Sequence, residues 1–367
     1  MAVKEREALG KINNYIAART LESVKREFGL TEVIKLAGNE NRIGCSPFVH
    51  TAIQNFFGQL SYYPDMKCTK LREQLAKEFD IDGEQLVFGN GSFELISFVA
   101  QTFLEKGDES IISVPSFGWY TNVTLQMDAK PVNVPLKNFT VDLQAVYNAI
   151  TDKTKVIWIC NPNNPTGTLL DQKKLLDFID KVGKDIVIVL DEAYIEYIEG
   201  DYLDTTTLIT KYDNLILLRT FSKVYGLASF RIGYGIADTD IILKMNKVRP
   251  PININALAQE AAVASLGDKE FKKIVQDNNK KSLEFYYSEL DKLGLNYVTS
   301  NCNFILFDTT KDSVWIENEF IKRGFIIRSG VEFGYPTWVR ISIGTWEDNV
   351  KVIEILREVL LNTQNVY

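Results

Sequence analysis

Apolar runs alternate with amphipathic stretches along most of this chain. Leu215 to Leu218 is a continuous apolar run with the length of a buried strand. Residues 85–88, 110–114, 155–160, 185–190 and 232–237 read the same way. Between them, residues 71–79, 92–104, 121–127 and 171–182 carry helical spacing. Continuously apolar strands separated by helices predict an α/β fold with a mostly parallel central sheet, covered on both faces by helices. Upstream, the pattern predicts a short helix, an irregular piece over 13–19, a helix over 21–28 closed by Gly29 and a short strand over 33–37. Ser46 and Pro47 start a further helix to about residue 57. Beyond Pro250 and Pro251 the pattern changes. One long helical region over 256–293, three strand-like pieces (304–307, 325–328, 338–343) and a closing helix over 347–361 predict a smaller α+β domain. The expected division is residues 1–37 packing with the small domain, 38–249 as the large domain and 250–367 as the small one.

Composition narrows the function. The 367 residues are 46% hydrophobic and 24% charged, ordinary for a globular protein with a full core. The net charge of −7 argues against a nucleic-acid partner. Cys45, Cys68, Cys160 and Cys302 are far apart and have no zinc spacing. With His50 as the single histidine, placed at what reads as a helix start, a structural histidine is favoured over a His-rich metal site or a Ser-His-Asp triad, and no metal is expected. The charged start, with no signal-peptide core and no membrane-length apolar run, predicts a cytoplasmic protein without a membrane partner.

The residues with chemistry gather at strand ends, where open α/β sheets bind ligands. The apolar run at 215–218 leads to Thr220, Ser222 and Lys223, with Arg231 eight residues later. A lysine at the mouth of an apolar strand is poorly solvated, and desolvation pushes it toward the free amine that attacks carbonyls. Hydroxyls and a guanidinium beside it suit a phosphate. An amine for an aldehyde next to a phosphate cup is what pyridoxal phosphate (PLP) requires. The plainer reading is a surface turn with a stray arginine. Gly89 to Ser92 joins a strand to a helix, as an anion-binding turn or merely a tight one. Asp191 ends an apolar strand, ready for a protonated pyridine nitrogen or for capping the next helix. The segment from Asn161 to Gly167, stiffened by two prolines, presents Asn164, and Phe117 at another strand end can lie on a flat ring or fill core. Five such coincidences in order favour the cofactor site.

These segments, together with residues 33–41, Tyr63-Pro64, Asp191 to Tyr194 and Arg340 to Gly344, resemble the PLP-dependent aminotransferases of fold type I, class I/II. Within them the chain is most similar to the histidinol-phosphate aminotransferases, from Tyr15 to about Gly344. The resemblance implies Lys223 as the Schiff-base lysine and proton shuttle, Asp191 on the pyridine nitrogen, and Asn164 and Tyr194 on the phenolic oxygen. Phe117 would stack on the ring. Gly91, Ser92, Thr220, Ser222 and Arg231 would hold the phosphate, with Phe93 beside them. Tyr63 would reach the phosphate of a neighbouring subunit, which implies a homodimer. Tyr15, Arg19, Asn39, Arg328 and Arg340 would bind substrate, with glutamate as amino donor and a phosphorylated amine or ketone as partner. The chain departs from the family pattern at Phe93, where an Asp is usual, across the loop from Tyr15 to Thr20, and at Arg42, where a proline is usual. These departures leave open a three-carbon phosphorylated ketone or amine, and because the resembled fold also hosts decarboxylases, decarboxylation of a phosphorylated amino acid is a rival.

Overall fold

Thirteen strands carry the architecture: β1 (Ile34–Lys35), β2 (Leu86–Gly89), β3 (Glu109–Val114), β4 (Lys130–Pro135), β5 (Thr154–Cys160), β6 (Val187–Asp191), β7 (Leu215–Thr220), β8 (Gly233–Ala237), β9 (Tyr297–Val298), β10 (Phe304–Asp308), β11 (Phe325–Ile326), β12 (Arg328–Ser329) and β13 (Trp338–Ser342). They are drawn from a computed structural model that describes residues 3–12 and 19–362. Seven strands form one sheet in the order β2-β8-β7-β6-β5-β3-β4. Every neighbouring pair is parallel except the two that β8 makes. The sheet is therefore mostly parallel, as expected, with its six parallel strands ending on one side.

The central strands β6 and β7 are buried along their whole length, which is why they read as continuous apolar runs. Side chains from the two faces pack into separate clusters. One centres on Leu71, Ile157 and Leu217, and the other on Val99, Tyr120 and Ile216. The remaining strands make a four-stranded antiparallel sheet in the order β12-β13-β10-β9 and a two-stranded parallel pair, β1 with β11. Ile34 and Leu36 share a core cluster with Phe320, Phe325 and Val352.

Among the described residues, β4, β9 and the helices Leu143–Asn148, Thr239–Met245 and Ser313–Lys322 escape the sequence pattern, and the pieces over 256–293 and 325–328 each split in two. Edge strand β4 carries two prolines and buries little beyond Val134, so its apolar signal is weak. The helix Leu143–Asn148 spans only six residues and is capped by Asp142. The region 256–293 is two helices, Ala256–Leu266 and Lys269–Leu293. Gly267 ends the first, and the Asp268 carboxylate accepts the Phe271 N–H to start the second. The first of them buries Ala258, Ala261 and Ala262 in the same cluster as Val49 and Leu71, against the sheet-bearing part of the chain.

Candidate active site

The link from β7 to β8 is a wide loop at the carboxyl end of the sheet, because Thr220 pairs with Gly233 and the strands run antiparallel. It carries Ser222, Lys223 and Arg231. Lys223 Nζ donates to Gly38 O at 3.1 Å and stands 5.5 Å from the centre of the Tyr194 ring. Desolvation pulls its ammonium down to about 8; the Arg340 and Arg231 charges act in the same direction and Glu40 opposes them. Thr220 Oγ1 donates to Ser222 Oγ at 3.0 Å and accepts the Ser222 N–H.

The turn before the helix Ser92–Phe103 meets this loop. A Cβ on Gly233 would fall 2.5 Å from Ser92 N, so the missing side chain lets the turn abut the strand pair. Arg231 crosses the gap, with Nη1 on Ala228 O at 2.9 Å and Nη2 on Asn90 O at 3.3 Å. Gly91 has φ +76°, and a Cβ there would lie 2.6 Å from Arg231 Nη2. Gly91, Ser92, Thr220, Ser222 and Arg231 thus gather around one helix N-terminus, a place for an anion.

Asp191 ends β6 in the core and is 4% exposed. Tyr120 Oη donates to its Oδ2 at 2.6 Å, and the Ala193 N–H donates to Oδ1. Burial pushes this carboxyl up to about 6, against the pull of those hydrogen bonds. Tyr120 stacks on Trp158 with ring centres 5.1 Å apart and meets Phe117 edge to face at 5.7 Å. Phe93, at the surface, stacks on Trp119 at 4.3 Å and meets Phe117 edge to face.

Arg340 is 7% exposed and donates to Asn164 Oδ1 and to Ala37 O. An arginine can only donate, so the Asn164 oxygen is taken and its NH2 is left to donate elsewhere. Asn39 works in the same sense on Tyr194: its Nδ2 donates to Tyr194 Oη at 2.9 Å, leaving the phenol proton for another acceptor. Asn39 is itself held by Ser342 Oγ on its N–H and by Asn303 Nδ2 on its carbonyl.

Of the other predicted positions, Arg328 stands opposite Arg340 in the strand register, while Tyr63 and Arg19 lie at the surface. Tyr63 is 87% exposed, on a turn that forms a groove with the helix Ala256–Leu266. Arg19 pairs with Glu27 at 2.8 Å near the surface, and Arg328 pairs with Glu332. Tyr15 lies outside the described residues. Arg42 ties its loop to the closing helix through Asp348 at 3.0 Å. His50 is on the exposed face of the helix Pro47–Phe56. Sequence reasoning missed Tyr120. Its place three residues after Phe117 is visible in the chain, but only the fold brings it to Asp191.

The family profile described as "Aminotransferase class I and II" matches residues 31–356. The chain is a class I and II aminotransferase. The histidinol-phosphate aminotransferase of Caldicellulosiruptor saccharolyticus is 46% identical to it over 356 residues, 97% of this chain and 99% of that one. Among solved structures, histidinol-phosphate aminotransferase from Sinorhizobium meliloti in complex with pyridoxal-5'-phosphate matches with TM-score 0.91 at 24% identity over 99% of each chain. L-threonine-O-3-phosphate decarboxylase from Porphyromonas gingivalis matches with TM-score 0.80 at 24% identity, over 89% of this chain and 99% of that one. At that identity the structural matches establish the fold.

This aminotransferase has PLP as its cofactor, and the residues fit the group. Arg340 Nε is buried without a hydrogen-bond partner among the described residues, so this guanidinium keeps a donor for an anion beside the cofactor. Asp191 is a buried carboxylate whose charge burial disfavours, as a partner for a cationic ring would be. A Cβ on Gly91 would clash with the Arg231 guanidinium, so the missing side chain is what lets this cation lie against the turn that would take the phosphate. No helix among the described residues is long and apolar enough to cross a membrane.

Proposed function

We propose that this aminotransferase moves an amino group between glutamate and a small phosphorylated amine or ketone, with histidinol phosphate as its first substrate. The observation that carries the reading is a pair of arginines. Arg328 and Arg340 stand opposite each other in β12 and β13, and residues so placed project from one face of a sheet. Two guanidiniums on one face suit a substrate with an anionic far end. The name carried by the 46% identical relative supports the same substrate.

PLP, when bound, presents an aldehyde to an amine and a cationic ring that accepts the electrons released when a bond to Cα breaks. Lys223 Nζ supplies the amine, and its depressed proton affinity keeps a usable fraction neutral near pH 8. The same nitrogen then takes the proton from Cα and returns it. Asp191 would pair with the ring nitrogen, its carboxylate held in one orientation by Tyr120 and the Ala193 N–H. Asn164 NH2 and the Tyr194 hydroxyl donate to the ring's phenolic oxygen, because Arg340 and Asn39 occupy their other valences. Phe117 would lie against the ring. The amides of Gly91, Ser92 and Phe93, the hydroxyls of Thr220 and Ser222, and Arg231 take the phosphate. Arg340 takes the donor's carboxylate, and Tyr15, Arg19, Asn39 and Arg328 surround the rest of the substrate.

The same reading makes the enzyme a cytoplasmic homodimer. Phe48, Phe57, Leu60, Tyr62 and Tyr63 form an exposed apolar stretch, which a second copy would cover. In that dimer Tyr63 reaches the partner's phosphate site. In this reading 38–249 would carry the cofactor and 250–367 would include the small domain, with Val24, Val33 and Ala37 packed against it; Arg6 and Lys11 instead reach Gln126 and Asp128, and the helix Ala256–Leu266 packs with the large domain.

Single half-reactions test the substrate. Histidinol phosphate, serinol phosphate, phosphoserine, histidine, phenylalanine and glutamate are each mixed with the loaded enzyme, and loss of its visible band is followed. Histidinol phosphate and glutamate are expected to react fastest. Faster reaction with phenylalanine or histidine than with every phosphorylated amine refutes the reading, and release of CO2 from phosphoserine assigns a decarboxylase instead. Sedimentation of a fully active monomer refutes the dimer.

A further inference from the structure

Arg328 and Arg340 share a face of the small sheet, and the next turn, Val331–Phe333, touches both. Glu332 in that turn takes Arg328 in a two-bond fork, Nε to Oε1 and Nη2 to Oε2. The Phe333 ring lies 5.4 Å from the Arg340 guanidinium carbon. Glu317, on the helix Ser313–Lys322, feels the charges of Arg328, Glu332 and Arg19. Burial pushes its carboxyl upward, and the fork on Arg328 is the one Glu332 makes.

We propose that Glu332 sets the charge preference of the far end of the substrate site by competing with a substrate anion for Arg328. The fork that a carboxylate fills is the fork a phosphate needs, and one guanidinium edge serves one of them at a time. The two side chains are 29% and 43% exposed, so solvent screens the pair and a dianion can displace it. A substrate with a neutral far end leaves the pair intact. One with a phosphate pays for its displacement, and gains only the difference between the two contacts. Glu332 is therefore a specificity residue for this aminotransferase: it narrows the advantage of a phosphorylated substrate over its neutral counterpart. The inference rests on the proposed function only in taking the substrate's far end to be an anion.

The test compares wild type with Glu332→Gln and Glu332→Asp, all loaded with cofactor. Two quantities are read: the Kd of inorganic phosphate, from its competition with a half-reaction, and the KM of histidinol phosphate beside that of unphosphorylated histidinol. Glu332→Gln is expected to tighten phosphate, and to lower the KM of the phosphorylated amine, by roughly threefold to fivefold. Glu332→Asp keeps the charge but shortens the reach, and should fall between. The KM of histidinol should stay within twofold. An unchanged or weakened phosphate Kd in Glu332→Gln overturns the proposal, whatever the amine does. If phosphate tightens but no phosphorylated amine reacts with any of the three proteins, the substrate reading falls while the role of Glu332 stands.

Discussion

Asp191→Asn separates the cost of burying a carboxylate from its use in catalysis. In the cofactor-free protein burial raises the Asp191 carboxyl from the usual 3.8 to about 6. A group whose folded value lies above its unfolded one adds stability below the unfolded value and loses it as pH rises through the folded one. Between the two limits the full contribution is about 3 kcal/mol, at roughly 1.4 kcal/mol per pH unit. At pH 7 both states are ionised and almost none of it is present. At pH 5 the folded protein holds most of a proton that the unfolded chain has lost, and the contribution is about 1.4 kcal/mol. An asparagine does not titrate. Urea unfolding of both cofactor-free proteins at pH 7 and pH 5 should therefore show wild type gaining about 1.4 kcal/mol relative to Asp191→Asn on acidification. The Asn variant should still bind PLP, since the phosphate-holding residues are untouched. Its turnover should fall by roughly 10²–10³, the usual loss for one oriented charge, about 2–4 kcal/mol, at a reacting centre. Identical pH dependence of stability in the two proteins would refute the assigned burial energetics, and near-normal turnover would refute the role at the ring nitrogen.

Covalent capture of PLP by the cofactor-free enzyme should speed up as pH rises through about 8, the value to which desolvation brings Lys223, and then level off. Lys223→Ala should abolish the borohydride-fixed adduct, and a fixed adduct on another lysine contradicts the assignment. Tyr120→Phe removes a donor to the Asp191 carboxylate. Its protonation midpoint, read from an isotope-edited carboxylate infrared band without cofactor, should then rise above about 6; an unmoved midpoint ends that account. Arg219 and Glu192 form a buried ion pair at 2.9 Å, with Thr205 bridging both. Arg219→Met should destabilise the protein by about 3–5 kcal/mol, because it strands a buried carboxylate. Adding Glu192→Leu should recover much of that loss in urea unfolding, and no recovery argues against stranded charge as the cause.

The sheet, and the gathering of Lys223, Asp191, Asn164 and the Gly91 turn at its carboxyl end, were legible in the chain. Strands β5, β6 and β7 are buried on both faces, so their burial is written as unbroken apolar runs. Lys223, Asp191, Asn164 and the Gly91 turn follow such runs, and a residue just past a strand end must emerge on the ligand side. Strand β4 left a weaker trace because an edge strand with two prolines needs little apolar surface. The break at Gly267 was hidden because both flanking segments have helical spacing. What only the tertiary structure decided is pairing between residues distant in sequence. Tyr120 meets Asp191 across 71 positions, and Arg340 meets Asn164 across 176. The Arg328–Glu332 fork is local at four residues, yet its importance arises from the register that sets Arg328 opposite Arg340. Local pattern reports burial and backbone preference. Side-chain partners are set by strand order and register, which depend on the whole core at once.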